Sequence, residues 1–187
     1  MRKLKTVLVF VLVMTLLWGI VPAMAAGTTE DIDSMFIGSF AGTGVSWERT
    51  SYGQGAATDI TETARLGGHD YSLRIMSDGT GVAEVSLSGW FDDLRMDDAM
   101  FPPGLQALAA CIYAVDTLVP TRNASLIISP YDVYDVLQAG MFFDTTGSDG
   151  WRIDYINIGR IEASHDSGAH MVMSVYGTTF SFTFTSH

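Results

Sequence analysis

Residues 70–89, DYSLRIMSDGTGVAEVSLSG, constrain the fold of this sequence more than any other stretch. Apolar and polar side chains alternate on both sides of the turn Ser77-Asp78-Gly79. Because a strand points successive side chains to opposite faces of a sheet, a period of two on each side of a turn is typical of a β-hairpin. The pattern predicts an antiparallel hairpin with one apolar face over residues 70–90.

Further strands are predicted on either side of this hairpin. The runs 151–164 and 169–177 flank a short polar segment, and residues 178–184, TTFSFTF, place three phenylalanines on one face. Residues 56–66 are bounded by glycine and also predict a strand. The stretch 36–49, FIGSFAGTGVSWER, predicts a strand with a bulge or a close backbone approach near its glycines.

Two segments with a helical period separate the strand-rich halves. Apolar residues recur at steps of three and four after Pro102-Pro103, which predicts a helix near residues 97–118. Ser129-Pro130-Tyr131-Asp132 has the form of a capping box, and Gly140 can end the helix predicted near 130–139. The chain therefore reads as one α+β, mainly β domain over residues 26–187: a curved antiparallel sheet covered by two helices.

The first 25 residues resemble a secretory signal peptide. A basic start, MRKLK, precedes a long apolar run, and Ala23-Met24-Ala25 has the small-x-small form of a cleavage site. Cleavage near Ala25 would leave a secreted or periplasmic protein, whereas retention of the segment would leave a membrane anchor. No cysteine follows the site, which argues against a lipid-modified N-terminus.

Charge excludes some classes of partner. Residues 26–187 hold seven arginines against 21 acidic side chains, a formal charge of −14 with histidine neutral. Such a surface repels nucleic acid and is not strongly attracted to anionic membranes. The single cysteine, Cys111, lies in an apolar run and is expected to be a small buried side chain in a domain without disulfides.

The segment HDSGAH, residues 165–170, is the strongest candidate for a metal or catalytic site. His165, Asp166 and His170 could face one ion, but zinc takes three or four ligands and no further group lies at a recognisable spacing. Asp-Ser-Gly is also ordinary turn sequence, so we expect a hairpin turn here. No nucleophile, zinc-protease or phosphate-loop motif is present, so the sequence predicts a protein that is not an enzyme and binds no cofactor or metal.

The order of these segments resembles the LolA/LolB-like family of bacterial lipoprotein carriers. The resemblance rests on SFAGTGVSWER, on the hairpin 70–89, on SPYDVYDVLQAGMF, and above all on the segment GWRIDY, residues 150–155. It would span residues 34–184. It implies an open half-barrel lidded by helices, whose cavity holds the acyl chain of a lipoprotein.

If the resemblance holds, one face of the sheet and the lid helices would line that cavity. The expected lining residues of the sheet are Leu73, Ile75, Val85, Leu87, Trp90, Ile153, Tyr155, Met171, Met173, Phe180 and Phe182, and those of the lid are Leu105, Leu108, Ile112, Val136 and Leu137. An apolar lining favours an apolar ligand. The expected function is therefore an exported, noncatalytic binder or carrier of a hydrophobic ligand, such as a lipid acyl chain.

Three other classes remain open from the sequence. The chain could be an extracytoplasmic interaction domain whose core is filled by its own side chains. It could be a small outer-membrane β-barrel, because its last strand ends in alternating phenylalanines. It could also be a hydrolase or metal enzyme that uses His69, His165 or His170.

Overall fold

The structure, a computed structural model, describes residues 27–96, 102–118, 132–140 and 150–186. The predicted signal peptide, the acidic pair Asp97-Asp98 and the capping residues Ser129-Pro130-Tyr131 lie outside these ranges. The fold is α+β and mainly β, as the sequence predicted. Its eight strands are β1 (Glu48–Gln54), β2 (Ala57–Leu66), β3 (His69–Ser77), β4 (Val82–Trp90), β5 (Trp151–Asn157), β6 (Arg160–His165), β7 (His170–Tyr176) and β8 (Thr179–Thr185).

All eight strands form one open, curved antiparallel sheet in the order β1-β2-β3-β4-β8-β7-β6-β5. Each half is a meander of four consecutive strands, and the halves join where β4 pairs with β8. The predicted hairpin 70–90 is confirmed as β3 and β4, and the predicted strand 56–66 is confirmed as β2. The run 151–164, by contrast, holds two strands, because Gly159 turns the chain with a positive φ of 74°.

The first helix, α1 (Thr29–Gly38), was not predicted from the sequence. It begins with a capping box in which Thr28 Oγ1 accepts a hydrogen bond from the Asp31 amide and the Asp31 carboxylate accepts one from the Thr28 amide. The prediction of a strand over 36–49 is wrong for most of its length. Residues 36–38 end α1, residues 39–47 form a loop with positive φ at Gly42 and Gly44, and the strand begins only at Glu48.

Within the described ranges, two further helices follow the 3₁₀ turn Phe91–Leu94. Helix α2 (Pro103–Asp116) and helix α3 (Val133–Ala139) confirm the two predicted helical segments over shorter spans. Helix α3 ends at Gly140, which adopts the left-handed conformation expected of a C-terminal stop. Helix α2 packs on α1 and on the 3₁₀ turn, and buries Cys111 completely. None of the helices within the described ranges is long and apolar enough to span a membrane.

One face of the sheet packs against α1 and α2, and the other face carries mainly serine, threonine and charged side chains. On the covered face, β3, β4 and β8 present nearly inaccessible apolar residues at every second position. Ser72, Ser88, Ser181 and Ser174 lie at successive paired positions across the outer face. The period of two thus separates an apolar interior from a polar exterior.

Candidate functional site

Most of the expected lining residues are in the filled core. Of the sixteen, thirteen are buried: Leu73, Ile75, Val85, Leu87, Leu105, Leu108, Ile112, Val136, Leu137, Met171, Met173, Phe180 and Phe182. Those on the four central strands are at most 2% exposed. Their side chains pack against each other and against the helices, so in this conformation the middle of the sheet is occupied by the protein itself.

The structure does not place Trp90 and Tyr155 on the covered face. In β4 the inward position is Gly89, where a Cβ would overlap the ring of Tyr71, so Trp90 points outward and stacks on His69 at 4.5 Å. In β5 the pairing with β6 shifts between Ile153 and Tyr155, which leaves Tyr155 44% exposed. A bulge adds one residue to a strand and inverts the alternation beyond it.

An open groove lies beside the filled core, at the β1 edge of the sheet. It runs between α1, the loop 39–47 and strands β1 and β2, and its volume is about 1020 Å³. We call it the α1 groove. Its apolar wall is formed by Ile37, Phe40, Val45 and Trp47, and its polar part by Asp33, Ser34, Arg49 and Glu62.

Phe40 and Trp47 of the apolar wall form an aromatic cluster with Phe36, which is buried behind them. Trp47 packs edge-on against Phe36 and Phe40, with ring centroids 4.8 and 5.2 Å apart, and the two phenylalanines lie 5.3 Å from each other. Such edge-to-face packing holds Trp47 in one orientation. The indole Nε1 of Trp47 is buried, and no described residue accepts its hydrogen bond.

The polar part of the groove joins α1 to the sheet through one arginine. Arg49 Nη1 donates to Asp33 Oδ2 at 3.0 Å, and Arg49 Nη2 donates to Glu30 Oε1 at 2.6 Å. Asp33 is only 4% exposed and Glu62 only 3%. The second carboxylate oxygen of Asp33, Oδ1, receives no hydrogen bond from an N–H or hydroxyl group in the described ranges, and the carboxyl of Glu62 forms a side-chain hydrogen bond with Asp33 when one of the two acids is protonated.

Burial and charge repulsion raise the proton affinity of both acids. Desolvation, followed by repulsion from Asp33, raises the pKa of Glu62 to about 7. Desolvation also raises the pKa of Asp33, although Arg49 partly opposes it. Two carboxylates that share one site cannot both ionise easily, so near neutral pH they hold a proton between them part of the time.

A second polar cluster lies at the end of β3. Asp93 Oδ2 accepts a hydrogen bond from the Tyr71 hydroxyl at 2.7 Å and lies 2.8 Å from His69 Nδ1. Burial, and then the bond to Asp93, raises the pKa of Tyr71. A Cβ on Gly104 would meet both Asp93 and the Tyr71 hydroxyl, so the first turn of α2 closes over this cluster. We interpret this cluster as a structural contact that holds the sheet, the 3₁₀ turn and α2 together.

The segment HDSGAH forms the turn between β6 and β7, as predicted. His165 ends β6 and is 6% exposed, and its Nδ1 bonds to Ser167 within the turn. His170 begins β7. Within the described ranges, no three His, Cys, Asp or Glu side chains are grouped so that they could hold a metal ion. Burial raises the pKa of the Cys111 thiol, which disfavours the reactive thiolate.

Sequence reasoning missed the α1 groove because its parts come from four separate segments of the chain. One signal was available in β2, ATDITETARL. Its alternation places Glu62 on the same face as Ile60 and Leu66, and a carboxylate on an apolar face is unusual. The partners of that carboxylate, on α1 and β1, could not be identified without the fold.

No protein-family model matches the chain, and no similar protein is found among curated proteins or solved structures.

Proposed function

We propose that this protein is a noncatalytic binder or carrier of a hydrophobic ligand, and that an acyl chain binds along the α1 groove. The observation that carries the proposal is the apolar wall of the groove, which stays open to solvent beside a core that is already filled. Small-molecule sites are concave, mostly apolar and hold a few polar groups, as this groove does.

The size of the groove and the energy of burial both suit an alkyl chain. Ligand pockets commonly measure roughly 300–1,000 Å³, and the α1 groove reaches the upper end of that range. Burial of an alkyl chain contributes about 0.8 kcal/mol per methylene before the costs of ordering. A twelve-carbon tail therefore has about 9 kcal/mol of gross driving force, and ordering losses of about 2–4 kcal/mol would leave dissociation constants of about 10–200 μM.

The polar groups of the groove favour an ester or an alcohol over a free fatty acid. Trp47 Nε1 is a buried donor that an ester carbonyl could satisfy. Asp33 and Glu62, in contrast, would repel a carboxylate. The sheet interior lies beneath both α1 and α2, so a ligand that needed more space would have to displace a helix, and Arg49 holds α1 to β1.

Binding of monolauroylglycerol, a neutral twelve-carbon ester, tests this proposal. The probe is added to purified residues 26–187 below its aggregation concentration, and tryptophan fluorescence and native mass spectrometry report binding. The variant Ser34→Trp fills the groove from an exposed position on α1, and we expect it to weaken binding at least tenfold. Gln54→Trp is the matched control, because Gln54 is exposed on β1 and does not line the groove.

A negative result favours a different class of protein. The thirteen buried lining residues are what an extracytoplasmic interaction domain with a filled core would show. If neither monolauroylglycerol nor a co-purifying lipid binds, or if Ser34→Trp and Gln54→Trp bind equally well, the groove is not a lipid site. The interaction domain then becomes the better account.

We further propose that the protein acts outside the cytoplasm. The support is the signal-like sequence of residues 1–25, together with a domain whose one cysteine is buried and whose stability rests on apolar packing. Expression of the full chain in a bacterium, followed by fractionation and mass measurement, tests this. We expect the exported form to begin near Ala26, and an uncleaved chain in the cytoplasmic fraction would contradict the proposal.

A further inference from the structure

The polar end of the α1 groove carries more negative charge than the protein neutralises. Helix α1 supplies Glu30 and Asp33 and β2 supplies Glu62, and Arg49, from β1, is the one cation paired with them in the part of the chain that the structure describes. The loop 39–47 contributes no charged side chain to the groove. With all three acids ionised, the cluster has a net charge of about −2, and two of its carboxylates are almost inaccessible to water.

The buried Asp33–Glu62 pair has one donor of its own, the proton that the two carboxyls share. Arg49 is already bonded to Asp33 Oδ2 and to Glu30 Oε1, so its two terminal nitrogens are directed at these oxygens. Asp33 Oδ1 is buried, and no N–H or hydroxyl group in the described ranges donates to it. When the shared proton is lost, two carboxylates meet in a site with little water, and a donor that also carries positive charge would lower that cost most.

Resting on the proposed function, we infer that the ligand of the α1 groove is an amphiphile with a primary ammonium head. The ammonium replaces the proton that Asp33 and Glu62 share and donates a hydrogen bond to each carboxylate. The alkyl chain extends along Phe40, Val45 and Trp47. A primary ammonium has three donors on a compact charge, which suits two carboxylates at the closed end of an apolar groove.

The inference predicts that ligand binding releases protons. Because the pKa of Glu62 is about 7, this carboxyl is protonated in about half of the molecules at pH 7. A bound ammonium favours the ionised form, so binding expels up to about half a proton per ligand at that pH. The groups that set this behaviour are Glu30, Asp33, Arg49 and Glu62, and β3 places the apolar Leu73 opposite Glu62.

A matched series of twelve-carbon probes tests the inference. Dodecylamine, dodecyltrimethylammonium, monolauroylglycerol and dodecanoate are titrated into residues 26–187 at pH 7 by calorimetry in two buffers of different ionisation enthalpy. We expect dodecylamine to bind at least tenfold more tightly than monolauroylglycerol or the trimethylated amine, with proton release, and dodecanoate to bind most weakly. The trimethylated head keeps the charge but has no N–H donor.

Variants separate the groove from the general acidity of the protein. Asp33→Asn and Glu62→Gln should each reduce the preference for dodecylamine over monolauroylglycerol to less than about threefold. Asp59→Asn, which removes one carboxylate on the outer face, should leave both affinities unchanged. Circular dichroism melts confirm that each variant is folded.

The two proposals fail in different ways. If dodecylamine and monolauroylglycerol bind equally, or if dodecyltrimethylammonium matches dodecylamine, the ammonium assignment is overturned while the lipid site stands. If Asp59→Asn weakens dodecylamine as much as Asp33→Asn does, the amine responds to surface charge and the assignment is again overturned. If no twelve-carbon probe binds, the proposed function itself fails.

Discussion

The centre of the sheet and its β1 edge differ in the polarity of the side chains that they bury. In the centre, strands β3, β4, β7 and β8 direct apolar residues or glycine to the covered face, and these side chains pack into one filled core. At the edge, β2 carries Glu62 inward and α1 carries Asp33 toward it, beside an open groove. The centre therefore gains stability from apolar packing, whereas the edge buries two carboxyls and an indole N–H that has no acceptor in the described ranges.

A substitution in the core at the centre of the sheet should cause the largest loss of stability. Phe182 is fully buried on β8, between Leu87 of β4 and Met173 of β7. Replacing Phe182 by alanine should lower the free energy of unfolding by about 3–5 kcal/mol, because it removes apolar contact and leaves a cavity. Urea denaturation of the variant measures this loss.

The adjacent residue provides the control for this prediction. Thr183 lies on the same strand but faces outward, and Thr183→Ala should change the free energy of unfolding by less than about 1 kcal/mol. A loss below about 1 kcal/mol for Phe182→Ala would show that the centre is loosely packed, and the contrast between the two regions would then disappear.

The buried acid Glu62 at the β1 edge should make the free energy of unfolding depend on pH near neutrality. The pKa of Glu62 is raised from 4.5 to about 7, so between these values the folded state binds more protons than the unfolded state. The free energy of unfolding therefore falls as pH rises through that window, by about 2–3 kcal/mol in total. Urea denaturation at pH 5 and pH 8 should show the protein to be more stable at pH 5.

Glu62→Gln should remove most of this dependence. A smaller slope of the same sign should remain, because burial raises the pKa of Asp116, at the end of α2, to about 6. Equal slopes in the wild type and in Glu62→Gln would mean that Glu62 is not the group that titrates.

Arg49 should matter most when its acidic partners are ionised. Arg49→Gln removes the cation beside Asp33, and we expect a loss of about 1–2 kcal/mol at pH 8, reduced from the cost of a fully buried pair because Arg49 is half-exposed. At pH 5 the loss should be smaller, since Glu62 is then protonated. Thermal melts at both pH values measure this, with Arg49→Lys as the variant that keeps the charge. A loss independent of pH would contradict the electrostatic account.

A surface ion pair should have the smallest effect. Arg74 and Asp59 form an ion pair on the outer face of β3 and β2, where both side chains contact solvent. A double-mutant cycle with Arg74→Gln and Asp59→Asn should give a coupling of about 0.2–1 kcal/mol that declines in high salt. A coupling energy larger than the loss of stability measured for Arg49→Gln at pH 8 would reverse the expected order of the two sites.

Local patterns predicted a strand or helix correctly where a single periodicity of apolar residues ran through the whole segment. The hairpin β3–β4 and the strand β8 followed from alternation, and α2 followed from apolar steps of three and four. The strand predicted over 36–49 was wrong, because the sequence SFAGTGV is compatible with both a strand and a loop. The capping box at Thr28 is the sequence signal for α1, the helix that precedes this loop. The predicted position of Tyr155 on the covered face was wrong for a different reason. A bulge changes the face of the sheet on which a residue lies without changing the sequence pattern.

The sequence alone determined the two faces of the sheet, the helical interruption between its halves and the buried state of Cys111, because these depend on neighbours a few residues apart. Only the tertiary structure decided that the middle of the sheet is filled and that Asp33, Arg49 and Glu62 meet at one edge. Packing and charge pairing depend on distances between residues far apart in the chain, and a local period does not encode those distances.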